Sequence, residues 1–152
     1  MAIETTGPRT LDPVALRADF PILRQEIHGH SLVYLDSASS SQKPRAVLDA
    51  MEHHHRHHYA NVHRGIYTIA EESTAAYEGA RAKVAKLLNA RATGEIVFTK
   101  NITEAMNLVA YSWARANLRP GDAILLSHME HHANVVPWHI LAAERGIEVR
   151  WI

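Results

Sequence analysis

Four histidines and a glutamate crowd into "HMEHHANVVPWH", His128 to His139. Imidazoles can ligate a metal, move a proton near neutral pH, or present a flat aromatic face. A metal centre needs at least three converging ligands with support behind them. His128 and His132 are four apart, but they straddle a strand-to-helix turn rather than one helical face, and no H-E-x-x-H occurs. No metal is therefore expected here. A histidine that stacks on, or hydrogen-bonds beside, a phosphate-bearing aromatic ligand fits the segment better. The second candidate is "FTKNITEAMN", Phe98 to Asn107. The chain turns there through Lys100 and Asn101 into a helix. Free N–H groups near Ile102, Thr103 and Glu104, with the Thr103 hydroxyl, would make a phosphate cradle. The plainer alternative is that Asn101 or Thr103 only caps that helix. The third is "HHHRHH", His53 to His58. It is internal, so it does not read as a tag. Imidazoles suit the negative end of a helix dipole, and a surface or interface role is expected ahead of a chemical one.

The elements that must hold these residues follow from patterning. Asp12 and Pro13 give a helix-start signature for a short helix to about Ala18. Leu32–Asp36 reads as a brief strand before a Ser-rich turn. Pro44 opens a helix with Val47, Leu48, Met51 and His55 at helical spacing, so the histidine run fills its C-terminal half. A loop through "ANVHRG" leads to a long helix with Ile69, Ala76, Tyr77, Ala80, Val84, Leu87 and Leu88 as its expected apolar face. Glu95–Thr99 reads as a buried strand. A helix follows with Ile102, Ala105, Met106, Val109 and Trp113 on one side. "AILLS" is a second buried strand. The helix after it tolerates Pro137 only near its start and stops at Gly146. "IEVRWI" is a third strand. Strand, helix, strand, helix, strand is the rhythm of a parallel α/β sheet. Three strands without a closing helix would leave an open edge and an uncovered face, so the chain is expected to be the first part of a larger protein. In such sheets ligands sit at the carboxyl ends of the strands, where both the Thr103 and the His131 segments emerge.

Composition narrows the classes further. The 152 residues carry 16 Lys+Arg against 16 Asp+Glu, which gives no electrostatic case for nucleic acid or an anionic membrane. There is no cysteine, hence no disulfide, thiolate nucleophile or Cys metal site among these residues. The start, "MAIETTGPRT", has neither a cationic nor an apolar signal region. No apolar run approaches the roughly 18 residues of a membrane span. A cytoplasmic setting is expected.

Taken together and in order, "YLDSASSSQKP", "ANVHRGIYTIAEESTAAYEGAR", "EIVFTKNITEAMNLVAYSW" and "HMEHHANVVPWHILA" closely resemble the SUF-type cysteine desulfurases. These are fold-type I pyridoxal-phosphate enzymes of the class V aminotransferase family. The resemblance runs from about "LRADFPIL" to the last residue. It implies an N-terminal arm with a short helix over 1–30. It further implies, over 31–152, the N-terminal part of the large cofactor-binding domain, a mainly parallel sheet flanked by helices. His131 then corresponds to the imidazole that stacks on the pyridoxal ring and takes part in catalysis. Thr103, with Ile102 beside it, corresponds to the phosphate-binding turn. Ala38, Ser39, His63 and Arg64 correspond to residues on the substrate side. The family usually has Gly-Thr-Thr-Glu where this chain has Asn101-Ile102-Thr103-Glu104.

The function so implied is conversion of L-cysteine to L-alanine, with persulfide sulfur handed to an acceptor protein for iron–sulfur cluster assembly by a homodimer. The resemblance places the Schiff-base lysine, the aspartate facing the pyridine nitrogen, the carboxylate-binding arginine and the nucleophilic cysteine beyond residue 152. The chain alone is therefore expected to be inactive. A selenocysteine lyase acting on L-selenocysteine, another class V enzyme, a non-catalytic truncated protein and a His-rich metal binder stand as alternatives.

Overall fold

The computed structural model describes residues 11–152, so the first ten residues of the expected N-terminal arm lie outside the described residues. The chain divides into two compact units at Leu87/Leu88.

In the first unit, Asp12 ends the preceding backbone and caps helix α1 (Pro13–Arg17). Its carboxylate accepts the N–H groups of Val14 at 3.0 Å and Ala15 at 3.1 Å. This is the start that the Asp-Pro pair predicts. A 3-10 turn, Pro21–Arg24, leads to a small antiparallel hairpin of β1 (Glu26–Ile27) and β2 (His30–Ser31). Its two-residue turn has His28 at φ 53° and Gly29 at φ 78°. Both are left-handed, as the tightest hairpin turn requires. The Arg17 guanidinium donates to the carbonyls of Leu23 and Leu32, tying α1 to the chain leaving the hairpin. The strand expected over Leu32–Asp36 is not present; this segment makes no sheet ladder, and Leu35 is 90% exposed. Alternating apolar residues favour extended backbone, but only a paired neighbour makes a strand.

Helix α2 (Arg45–His57) starts after Pro44 and carries the histidine run in its second half, with His58 as its C-terminal cap. Helix α3 (Thr68–Leu87) buries Ala70, Ser73 and Ala85. That face is turned from the expected one. Ala76, Ala80, Leu87 and Leu88 are exposed, while Tyr77 and Val84 are half-buried. Small side chains at 70, 73 and 85 set the line of close approach, which a count of large apolar residues overlooks.

The second unit contains the βαβ motif. Strand β3 (Ala123–Leu126) pairs in parallel with β4 (Glu148–Trp151), from Ala123 opposite Glu148 to Leu126 opposite Trp151. Helix α6 (Val136–Arg145) makes the crossover, with Pro137 in its first turn and Gly146 ending it at φ 69°. A Gly carries that left-handed cap without penalty. The strand expected at Glu95–Thr99 forms no ladder among the described residues; a 3-10 turn, Thr93–Glu95, leads into it and Val97 is 65% exposed.

Helix α4 (Ile102–Leu108) runs without a break through a π-helical stretch, Val109–Ala114, into α5 (Arg115–Asn117). The wider π turn changes which residues face inward. The inward row is the buried Ala110 and Ala114 with the half-buried Met106 and Leu118, and Val109 and Trp113, expected there, are exposed. Ala110 and Ala114 join Leu126, Trp138, Leu141 and Ile147 to form the core of this unit. The Arg115 guanidinium pairs with Glu144 of α6 and lies 4.5 Å over the Tyr111 ring, so two charged groups fasten the two helices at the rim.

Candidate functional site

Asn101 decides how α4 begins. Its side-chain oxygen accepts the Glu104 N–H at 2.9 Å, and the Glu104 carboxylate accepts the Lys100 N–H at 2.6 Å. This reciprocal arrangement is close to a capping box. Asn101 sits at φ −165°, ψ 174°, extended backbone open to any residue. The glycine usual in the resembling family is therefore not required conformationally at this position. The capping alternative holds for Asn101. It does not use up the helix end, because the N–H groups of Ile102 and Thr103 have no partner inside the helix. Thr103 stands in the first turn, and its carbonyl accepts the side-chain N–H of Asn107 at 2.8 Å.

Thr103 and His131 line one cleft of about 330 Å³, together with Asn107, His132, Ala133, Val136, Pro137 and Ile140. One wall is polar, from the α4 start. The other is apolar, from the α6 start. Ile102 is exposed at the helix tip and is not among the lining residues. His131 opens the 3-10 turn His132–Asn134, and its Nδ1 accepts the Ala133 N–H at 3.1 Å. That bond makes Nδ1 the acceptor, so in the neutral ring the proton sits on Nε2.

The other members of the His128–His139 segment are engaged structurally. Glu130 accepts the Ser127 hydroxyl at 3.0 Å and the Asn134 amide at 2.9 Å. Those bonds, with Asn134 first, hold its carboxyl below the usual carboxylate range. Asn134 in turn accepts the indole N–H of Trp138 at 2.9 Å. The chain Ser127–Glu130–Asn134–Trp138 fixes the loop that carries His131 onto a buried tryptophan. His128 and His139 stack on Trp151, with ring centroids 5.4 and 6.0 Å away. Among the described residues no three His, Cys, Asp or Glu side chains converge as a metal cage.

The remaining candidates belong to the first unit. Ala38 and Ser39 lie in a turn, where the Ser39 and Ser40 N–H groups donate to the Asp36 carbonyl at 3.2 and 3.1 Å. The Tyr34 hydroxyl reaches the carbonyls of Asp36 and Ser40 at 2.9 and 2.6 Å, which locks the turn. His63 has φ 69°, a left-handed conformation uncommon outside glycine. Helix α3 imposes it: the His63 N–H donates to Thr74 Oγ1 at 2.8 Å and its Nε2 meets Glu78 at 2.8 Å. Its ring also lies edge-on to Tyr77. Glu78 accepts Arg81 Nε at 3.0 Å as well. The His63 bond, then Arg81, lower the Glu78 pKa. Arg64 follows on the exposed side of this loop.

Sequence reasoning missed Asn107, Tyr34 and Glu78. Asn107 was accessible from its four-residue spacing after Thr103, which puts both on one helical face. Tyr34 and Glu78 act across loops, and no local spacing announces them.

Residues 33–152 match the family described as "Aminotransferase class-V". A probable cysteine desulfurase of Synechocystis sp. is 55% identical over 90% of this chain and 33% of its own length. The cysteine desulfurase of Pectobacterium atrosepticum is 52% identical over 89% of this chain and 33% of its own. Among solved structures, the apo cysteine desulfurase of Thermococcus onnurineus superposes with a TM-score of 0.81 at 34% identity. It covers 94% of this chain and 34% of that one. The chain thus spans about a third of the length of the relatives it matches, and its α/β fold is that of part of their structure. No helix among the described residues is long and apolar enough to cross a membrane. The match over residues 33–152 and the shared fold show that this chain belongs to the class-V aminotransferase family.

Proposed function

We propose that this chain forms the phosphate-binding and ring-stacking side of a pyridoxal 5'-phosphate site in a cysteine desulfurase. The observation that carries the reading is the shared cleft: Thr103, at the start of α4, and His131, in the loop after β3, line the same space. The donor set fits the group. The Thr103 hydroxyl and the N–H groups of Ile102 and Thr103 suit a phosphate, and the His131 imidazole suits the face of an aromatic ring. Val136, Pro137 and Ile140 supply an apolar wall.

When bound, the cofactor supplies the electron sink for breaking the substrate's carbon–sulfur bond. The chain's own residues bind and orient. Thr103 anchors one end. The Ser127–Glu130–Asn134–Trp138 chain keeps the His131 ring in place at the other. With Nδ1 of His131 taken by the Ala133 N–H, its Nε2 is the ring nitrogen left to serve a group in the cleft. Ala38, Ser39, His63 and Arg64 serve the substrate side in this reading, and Ile102 contributes its N–H rather than its side chain. The whole protein, with an arm over 1–30 and the cofactor domain beginning at 31, turns L-cysteine and an enzyme thiol into L-alanine and an enzyme persulfide. Its sulfur then passes to an acceptor protein for iron–sulfur cluster assembly of the SUF type, in the cytoplasm, with the enzyme a homodimer. The Schiff-base lysine and the thiol belong to the rest of that protein, and the 152 residues alone do not turn over cysteine.

The test uses the complete protein. Thr103→Ala removes a hydrogen bond to a charged group worth roughly 1.5–3 kcal/mol, so cofactor retention on dialysis should weaken about tenfold or more. His131→Ala should shift the cofactor absorbance band and cut alanine formation. Unchanged retention and unchanged spectra in the two variants would place the cofactor elsewhere.

A further inference from the structure

We propose that the C-terminal end of α2 carries a divalent-metal site of the zinc class, with Nε2 of His53 and Nε2 of His58 as its protein ligands. The two nitrogens face each other at 3.2 Å. Two imidazoles on a tetrahedral ion with metal–nitrogen bonds of about 2.0–2.1 Å hold their nitrogens about 3.3–3.4 Å apart. The pair thus stands near ligand separation before any ion arrives.

Three further features favour a cation there. Glu72 of α3 meets Nδ1 of His58 at 2.7 Å. With the carboxylate accepting a proton from Nδ1, the Nε2 lone pair of His58 is free for a metal, the carboxylate–histidine–metal arrangement of protein zinc sites. The backbone of His58 is fixed as well: its carbonyl accepts the hydroxyl of Ser73, a residue only 1% exposed. Finally, the site lies at the end of a 13-residue helix, where the backbone carbonyls present partial negative charge.

His53 needs one adjustment. Where His58 accepts at Nε2, His53 donates its own Nε2 proton across the 3.2 Å gap; to bind an ion it must carry that proton on Nδ1 instead. The change requires a shift of tautomer. Because no three acidic or imidazole side chains already converge among the described residues, the site is a two-nitrogen one, with solvent in the remaining positions. His55 stands apart by placement: its ring lies flat on Tyr59, with centroids 5.3 Å apart.

The experiment is calorimetric titration of the full chain with ZnCl2 in a non-chelating buffer. One ion should bind per chain. His53→Gln and His58→Gln should each abolish uptake. Glu72→Gln should weaken it about tenfold or more, the usual cost of losing a supporting carboxylate. The double variant His54→Gln/His55→Gln should keep parental affinity. Absence of zinc binding by the parent would overturn the proposal. So would an equal loss in the His54/His55 variant, because the run would then be binding as a generic stretch of histidines. Circular dichroism on every variant separates loss of ligand from loss of fold, and Co2+ substitution with its tetrahedral absorption bands gives a second readout of coordination.

Discussion

Gly65 follows the left-handed His63 by two residues, and the chain passes there against the first turn of α3. A Cβ placed on Gly65 would lie 2.1 Å from the Cβ of Ala70, which is fully buried, and 3.2 Å from Cε1 of Tyr67. Carbon atoms in contact sit about 3.5–4.0 Å apart, so Gly65→Ala demands an opening of about 1.5 Å. The obstacle is not a flexible side-chain tip. Ala70 is bound into the helix start, its N–H donating to the Tyr67 carbonyl at 2.9 Å. Overpacking of a well-filled site costs about 1–3 kcal/mol, and this clash belongs at the upper end. The second half of the test is rescue. Ala70→Gly removes the opposing Cβ at a helix-propensity cost of about 1 kcal/mol. The double variant should therefore be more stable than Gly65→Ala alone, a non-additivity that direct contact predicts. Urea unfolding followed by circular dichroism measures all three variants. A parental midpoint for Gly65→Ala, or a double variant that loses the sum of the two single costs, would refute the argument.

Other outcomes follow from the same structure. Leu141→Ala, at a core position 2% exposed, should cost about 2–5 kcal/mol by removing packing against Ala110, Leu126 and Ile147; urea midpoints check it. Glu78 has its carboxyl lowered by His63 and Arg81, so its contribution is fully present above the ordinary carboxylate range and lost as pH falls through the lowered value. Acid unfolding of Glu78→Gln should show less pH dependence across that window than the parent. Asn134→Ala deprives Glu130 and Trp138 of a shared partner, and amide exchange should accelerate through residues 128–135 while β3 stays protected.

Parts of this architecture are written locally and parts are not. The Asp12-Pro13 start and the Gly146 stop each rest on signals within a few residues, and the parallel pairing of β3 with β4 rests on the strand–helix–strand rhythm; each is found. Leu32–Asp36 and Glu95–Thr99 have the composition of strands but no ladder, because pairing depends on a partner far away in sequence. The hairpin at Glu26–Ser31 went unread because two-residue strands leave no periodicity to detect, and its turn opens on His28 rather than the usual asparagine. The candidate site was more legible than the fold around it. His131 follows strand β3, and Thr103 follows the ladderless segment Glu95–Thr99; both still open on one cleft, where the carboxyl ends of strands in an α/β unit place ligands. The supports behind them were not legible: Glu130 held by Asn134, and His63 held by Glu78, depend on rotamers rather than spacing.

The π-helical stretch Val109–Ala114 acts as a phase setter between two ends of one rod. On one side of it stands the turn bearing Thr103; on the other, Ala114 and Leu118 grip the core. Losing a single residue inside the stretch would let it relax to ordinary α-helix without unwinding either end. An i→i+5 turn holds one residue more than an i→i+4 turn, so the same deletion removes the bulge and leaves the two ends in nearly their present phase. In the ordinary α-helix before the stretch, loss of one residue turns one end against the other by about 100°, which swings Thr103 from the His131 cleft or rolls Ala114 out of the core. The stretch is therefore a place where a one-codon deletion is torsionally silent, set beside one where it is not.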